Sequence, residues 1–77
     1  MMMKSGDTVR YLGCTQEQIN WGNNDDPRGV LMENTDYYVE HVYVHSQHTK
    51  IELRGIKGKF NSVCFDVQPK RKAKRNF

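Results

Sequence analysis

Residues 36–65 read DYYVEHVYVHSQHTKIELRGIKGKFNSVCF, and most of the predicted strands lie in this segment. Aromatic and β-branched residues dominate it, as is typical of half-buried strands. No apolar repeat at helical spacing competes with that interpretation. Ser46 and Gln47 predict a tight turn between two strands, and Gly55 and Gly58 bound a second predicted turn. The segment therefore predicts antiparallel strands joined by short connections.

The first strand of this segment changes the face that its apolar residues occupy. Tyr37 and Val39 are two positions apart and share one face, since successive side chains in a strand alternate. Val42 and Val44 also share a face, but one position out of phase with the first pair. A single β-bulge near residues 40–41 would return both pairs to the same side of the sheet.

A second apolar strand comes earlier in the chain, between Gly6 and Gly13, where two inward positions are expected. In a chain of 77 residues the core is small, so its stability should be modest. Nine side chains are expected to form one core: Val9, Tyr11, Val39, Val42, Val44, Ile51, Leu53, Phe60 and Phe65.

Composition limits the location and the redox state of the chain. Hydrophobic residues make up 36% of it, and no apolar run approaches the length of a membrane span. The start has no apolar segment of the secretory type. We therefore expect a cytoplasmic protein without a membrane segment, in which Cys14 and Cys64 are reduced thiols.

The charge is concentrated at the C-terminus. The chain has 12 basic and 9 acidic residues, a net charge of +3. Residues 70–75 supply five of the basic side chains and no acid, so the body carries a net charge of −2. We predict a folded domain over residues 1–68 and a disordered basic tail over residues 69–77.

A capping-box pattern begins the long connection after the first strand. Thr15 is a candidate N-cap with Gln18 three residues later, which predicts one helical turn over residues 16–20. Ile19 and Trp21 are then expected to pin this turn to the core.

Residues 22–29 read GNNDDPRG and predict a long polar loop of turn-forming residues. Long loops in small domains are often functional, and Trp and Arg are typical of binding hot spots. We expect this loop and the turn at residues 45–49 to form one surface that binds a protein partner. Its candidate residues are Trp21, Asn24, Asp25, Asp26, Arg28, His45 and His48.

Three short segments carry a resemblance to the Src-homology-3-like small barrel. Residues 6–11 look like the first strand of such barrels, including those of the KOW type. Leu31 with Tyr37 and Val39 looks like the diverging turn and the strand after it. Residues 58–63 look like the 3₁₀ turn before the closing strand. The resemblance implies an all-β, five-stranded small barrel with one long polar loop.

A second resemblance lies in the sequences of residues 45–50, HSQHTK, and of residues 60–63, FNSV. Both are similar to short uncharacterised proteins of bacteriophages and prophages. This resemblance implies a phage accessory protein, acting in the host cytoplasm as a binding module on a larger protein.

The alternative function is KOW-like binding of nucleic acid. Basic runs bind phosphates, and outward aromatic rings can stack on bases. The residues expected to serve this alternative are Lys70, Arg71, Lys72, Lys74, Arg75 and Tyr43, helped by other outward basic side chains and by Tyr38.

Catalysis, metal binding and cofactor binding are not expected. Cys64 with His41 or His45 could in principle act as nucleophile and base, but a thiol buried in a strand is inert. His45 and His48 form half of a zinc site, but four converging ligands are needed. A purified chain should therefore carry no stoichiometric zinc.

Overall fold

The computed structural model describes residues 3–69 and contains five strands, one short α-helix and one 3₁₀ helix. The all-β class and the five strands are thereby confirmed. The predicted disorder of the basic tail concerns residues that, apart from Pro69, lie outside the described range. The elements are β1 Thr8–Tyr11, α1 Gln16–Asn20, β2 Asp36–Val44, β3 Thr49–Leu53, β4 Ile56–Asn61, the 3₁₀ helix Ser62–Cys64 and β5 Phe65–Val67.

The strands form one antiparallel sheet in the order β4-β3-β2-β1-β5. The long strand β2 pairs with β1 through Asp36, Tyr37 and Tyr38, and with β3 from Val39 onward. β4 and β5 are the two edges, and within residues 3–69 no ladder joins them. The sheet is therefore open, whereas the small-barrel resemblance implied a closed one.

A bulge interrupts β2 where the sequence predicts it. The register with β3 shifts between Val39 and His41. One extra residue on the bulged strand re-aims the side chains that follow and increases the local twist. Val39 is fully buried and Val42 is half-buried against the core, so the apolar side chains before and after the bulge point to the same side of the sheet.

The core contains seven of the nine predicted side chains, an eighth packs against it, and one prediction is wrong. Val44 is 70% exposed because it pairs with Thr49 at the far end of the hairpin, beyond the packed side chains. Val42 is only partly buried. Leu31 and Cys64 join the core instead. The buried cluster is Val9, Tyr11, Leu31, Val39, Ile51, Leu53, Phe60, Cys64 and Phe65.

The second turn is shorter than predicted. It consists of Arg54 and Gly55, and Gly58 lies inside β4 rather than at the end of the turn. Gly58 has a φ of +128°, and a Cβ there would lie 2.8 Å from the ring of Phe60. Glycine is therefore required because the backbone passes directly over a core aromatic ring.

The cysteines form a disulfide, so the expectation of two reduced thiols is wrong. Cys14 and Cys64 are bonded, with their Cα atoms 5.2 Å apart. The packing of β1 beside β5 brings them together, because Leu12 N–H donates to the carbonyl of Cys64 at 2.8 Å. No local pattern predicts this pairing, since the two residues are 50 positions apart.

Among residues 3–69 the structure contains no helix that is both long enough and apolar enough to cross a membrane.

Leu53→Ala tests the core assignment. Leu53 is 2% exposed and faces Val39 and Ile56 on the neighbouring strands. Removing its side chain leaves a cavity and should lower the free energy of unfolding by about 2–5 kcal/mol, measured by urea denaturation. Val44→Ala is the matched control and should change it by less than about 0.5 kcal/mol. Equal effects of the two variants would refute the assignment.

Candidate functional site

The long connection between β1 and β2 carries most of the predicted partner-binding residues. At the start of α1, the Oγ1 of Thr15 accepts a hydrogen bond from the backbone N–H of Gln18 at 3.1 Å. Gln18 Oε1 accepts in return from the backbone N–H of Thr15 at 2.9 Å. This reciprocal capping box confirms the helical turn predicted from the sequence.

Trp21 ends α1 and faces solvent. Its backbone N–H donates to the carbonyl of Glu17 at 3.0 Å, and its extended backbone turns the side chain away from the core. The indole Nε1 donates to the carbonyl of Gln47 at 3.2 Å, and the residue is 58% exposed. The expectation that Trp21 packs on the core is therefore wrong. The ring is held in one orientation while much of its surface stays open.

The turn after β2 meets this loop at Gly22. A Cβ on Gly22, whose φ is +86°, would lie 2.7 Å from Cδ2 of His48, so the close approach of ring and backbone requires glycine. The rings of His45 and His48 stack with their centroids 4.6 Å apart. Lys50 Nζ donates to the carbonyl of Asn23 at 3.1 Å. Loop and turn thus form a continuous surface.

The environment of His48 favours its neutral form. Partial burial lowers the pKa of His48 below its ordinary value, and the nearby His45 and Lys50 lower it further. A neutral imidazole has one nitrogen that donates and one that accepts a hydrogen bond. A neutral His48 therefore carries one donor and one acceptor nitrogen.

Asn24 has a structural role inside the loop. Its Nδ2 contacts three carbonyl oxygens at the end of α1, those of Gln18 at 3.2 Å, Ile19 at 3.2 Å and Trp21 at 2.6 Å. The last carbonyls of a helix have no partner within the helix. The half-buried Asn24 side chain supplies one and fixes the position from which Trp21 projects.

Asp25 attaches the loop to the edge of the sheet. Its Oδ2 accepts a hydrogen bond from the backbone N–H of Lys59 in β4 at 2.8 Å. Its own backbone N–H donates to the carbonyl of Lys59 at 2.9 Å. Asp25 thus continues the ladder of β4 by one residue on the side away from β3.

Asp26 and Arg28 form an exposed ion pair. Arg28 Nη2 lies 2.9 Å from Asp26 Oδ2 and also donates to Gln16 Oε1 at 2.7 Å. Hydrogen bonds from Arg28 lower the pKa of Asp26, and the same pairing raises the pKa of Arg28. The buried Pro27 lies between them. The pair presents both signs of charge beside α1.

A shallow groove separates α1 from the 3₁₀ helix. Its volume is about 260 Å³, and its lining is Glu17, Gln18, Trp21, Asn61 and Val63. Asn61 Nδ2 donates to the carbonyl of Gln18 at 2.8 Å and holds the two sides together. Val63 is 60% exposed. The groove therefore combines two exposed apolar side chains with a carboxylate at its rim.

Glu17, Asn61 and Val63 line the groove but were not among the binding residues predicted from the sequence. A signal for Glu17 was present, because residues four apart on a capped helix share a face and Trp21 follows at that spacing. Val63 gave no such signal. Its position in an apolar run predicts burial, and only the 3₁₀ helix turns it outward.

Some residues of the nucleic-acid alternative lie in the described part of the chain, and these contact other side chains of the sheet. Lys59 Nζ lies 4.4 Å from the ring centroid of Tyr43, and Tyr43 donates its hydroxyl to Glu52 at 2.7 Å. That hydrogen bond raises the pKa of Tyr43. Tyr38 is 56% exposed, with the guanidinium of Arg54 5.6 Å from its ring. Lys59 thus covers one face of Tyr43.

Two further basic side chains are paired with acids. Arg10 lies 2.8 Å from Asp36, and Arg54 lies 3.3 Å from Glu40. Each carboxylate reduces the positive charge available to a phosphate. The other residues proposed for this alternative are Lys70, Arg71, Lys72, Lys74 and Arg75, which lie outside the described residues.

Metal-ligating residues are not assembled in the described part of the chain. His45 and His48 lie together, but no group of three or more His, Cys, Asp or Glu residues over positions 3–69 is placed to hold an ion. The disulfide occupies both cysteine sulfurs.

Comparison with known proteins identifies the family. A family model described as Bacteriophage T4 protein Y07B matches residues 17–76. The match covers most of the chain, so the chain belongs to this family. The phage part of the sequence-based resemblance is thereby confirmed. No curated protein and no solved structure gives a significant match.

The pKa of His48 can be measured by NMR titration of its ring protons. It should lie below the ordinary value of 6.5, and His45→Gln should raise it by removing a neighbouring positive charge. As the pH falls through 6.5, the unfolded chain takes up this proton before the folded one does. The contribution of His48 to stability is therefore lost between pH 6.5 and its folded pKa. A higher pKa than 6.5 would contradict the assignment.

Asp25→Ala tests the attachment of the loop to β4. Loss of the acceptor for the Lys59 N–H should lower the free energy of unfolding by about 0.5–1.5 kcal/mol. Asp25→Asn is the matched control, because its side-chain oxygen can still accept this hydrogen bond. Urea denaturation should place Asp25→Asn close to the parent protein, and an equal loss in both variants would mean that the charge matters rather than the hydrogen bond.

Proposed function

We propose that this chain is a phage accessory protein without catalytic activity, which docks on a larger protein in the host cytoplasm. The docking surface consists of the groove between α1 and the 3₁₀ helix, the loop at residues 21–29 and the turn at residues 45–49. The observation that carries the proposal is the exposed Trp21 ring, held by hydrogen bonds at its indole nitrogen and at its backbone.

A fixed, exposed tryptophan is well suited to binding. Tryptophan is among the residues that contribute most to protein interfaces. Here the bond from Trp21 to Gln47 and the close packing of His48 on Gly22 are already made in the free chain. A preordered surface loses less conformational entropy when a partner binds.

The groove suggests the chemistry of the partner segment. Its volume of about 260 Å³ suits one or two side chains rather than a whole small molecule. Trp21 and Val63 offer apolar contacts, and Glu17 makes no ion pair within residues 3–69. We expect an exposed segment of the partner with an apolar side chain next to a lysine or arginine.

A binding role also agrees with the state of the candidate nucleophile. Cys64 has no exposed surface, and its sulfur is bonded to Cys14. A thiolate is needed for nucleophilic attack, and no free thiolate exists in this form. Membership in a phage protein family supports action inside the host.

Photo-crosslinking tests the docking surface. A photoreactive amino acid at position 63 should capture one host or phage protein from a nuclease-treated lysate, and the same group at position 44 should not. Val44 is the matched control, because it is an exposed valine on a different surface. Capture at both positions, or at neither, would refute the groove as the docking site.

The captured partner then allows affinity to be measured. Trp21→Ala and Val63→Asp should each weaken binding at least about tenfold, or about 1.4 kcal/mol, with Val44→Asp as control. The double variant Asp26→Ala, Arg28→Ala should weaken it similarly if the charged loop contributes. Equal affinity of all variants would refute docking through this surface. If, in addition, the full chain shifts a labelled oligonucleotide and a chain without residues 70–77 does not, the function is nucleic-acid binding instead.

A further inference from the structure

The Cys14–Cys64 disulfide connects the two sides of the groove. Cys14 immediately precedes Thr15, the N-cap of α1, and Cys64 ends the 3₁₀ helix that carries Val63. The bond therefore holds the start of α1 against the 3₁₀ helix on the other side of the groove. The other contacts between these sides are non-covalent.

Gln18 is the point at which these contacts meet. Its carbonyl accepts from Asn61 Nδ2, and its Oε1 accepts from the backbone N–H of Thr15 at 2.9 Å. The same Oε1 lies 3.6 Å from the sulfur of Cys64. A thiol on Cys64 could donate to this oxygen in addition to the Thr15 N–H, because an amide oxygen accepts two hydrogen bonds. Loss of the disulfide would thus change the contacts of Gln18 as well as remove the covalent link.

The two sulfurs differ in their exposure to solvent. Cys64 is fully buried, whereas Cys14 is half-buried and lies at the start of the loop. Thiol–disulfide exchange requires access of the attacking thiolate to a sulfur atom. An external dithiol therefore reaches the bond through Cys14.

We propose that the Cys14–Cys64 disulfide is a redox switch that sets the rigidity, and hence the affinity, of the docking groove. A thiolate of an external dithiol attacks Cys14 Sγ, the S–S bond breaks, and Cys64 leaves and takes up a proton. The second thiol of the reductant then resolves the mixed disulfide and releases Cys14 as a thiol. Two electrons and two protons pass to the protein, and the dithiol becomes a disulfide.

The oxidised form is the one that docks. With the bond intact, α1 and the 3₁₀ helix present Trp21 and Val63 at a fixed separation. After reduction, a helix of only five residues is held by its caps, by hydrogen bonds and by the buried Ile19, and so short a helix is marginal alone. Disulfides of cytosolic proteins are commonly transient or redox-sensing. This inference rests on the proposed docking function for its biological meaning.

The free protein already allows a test, because Trp21 is the single tryptophan of the chain. The full chain is equilibrated in dithiothreitol buffers of graded reduced-to-oxidised ratio. Free thiols are counted by mass after alkylation, while Trp21 fluorescence and amide hydrogen exchange are recorded. On reduction, the amides of Ile19 and Trp21, which bond to Thr15 and Glu17, should exchange at least about tenfold faster.

Cys14→Ser is the matched control, because it removes the bond without changing the buried Cys64. Its exchange rates should equal those of the reduced parent, in both oxidising and reducing buffer. Two free thiols in the parent under oxidising conditions would overturn the inference. Exchange rates that agree within about twofold between oxidised and reduced parent would also overturn it.

The partner captured through position 63 completes the test. Its affinity should fall about tenfold when the parent is reduced and should be insensitive to dithiol in Cys14→Ser. Equal affinity for both forms of the parent overturns the switch and leaves docking intact. If no protein is captured in either redox state, docking is refuted. The effect of the disulfide on the rigidity of the groove is then decided by hydrogen exchange in the free chain.

Discussion

The bulge in β2 lets a single strand serve two halves of the sheet. One strand must pair with β1 at its start and with β3 at its end, and both halves must turn apolar side chains toward the same core. Without an extra residue near His41, Val42 would point to solvent while Val39 points inward. The bulge removes this conflict, and residues of β1, β2 and β3 belong to one buried cluster.

Polar side chains fix the position of the long loop together with a few buried apolar residues. Asn24 satisfies the end of α1, Asp25 bonds to β4, and Asn61 bonds to Gln18. Ile19, Pro27 and Leu31 are its buried apolar anchors. Directional hydrogen bonds specify position without covering the surface with apolar groups. This explains how the loop can be well placed while Trp21 remains open to solvent.

Local patterns predicted the elements of the fold, whereas long-range packing decided the site. The capping box at Thr15, the bulge in β2 and the inward faces of β1 and β3 all follow from spacings of two or three residues. The orientation of Trp21 does not, because it depends on a carbonyl 26 positions away in the chain. The disulfide and the groove depend in the same way on which elements the sheet brings together.

The edge strands of a sheet can pair with strands of other molecules, and in this chain the long loop covers part of one edge. An edge strand presents unpaired N–H and carbonyl groups, which can recruit a strand from another molecule. On β4 the backbone of Lys59 is already bonded to Asp25, and lysines at positions 57 and 59 flank Gly58. Asp25 therefore also occupies backbone groups on the β4 edge, so the loop reduces the number of groups there that could pair with a strand of another molecule.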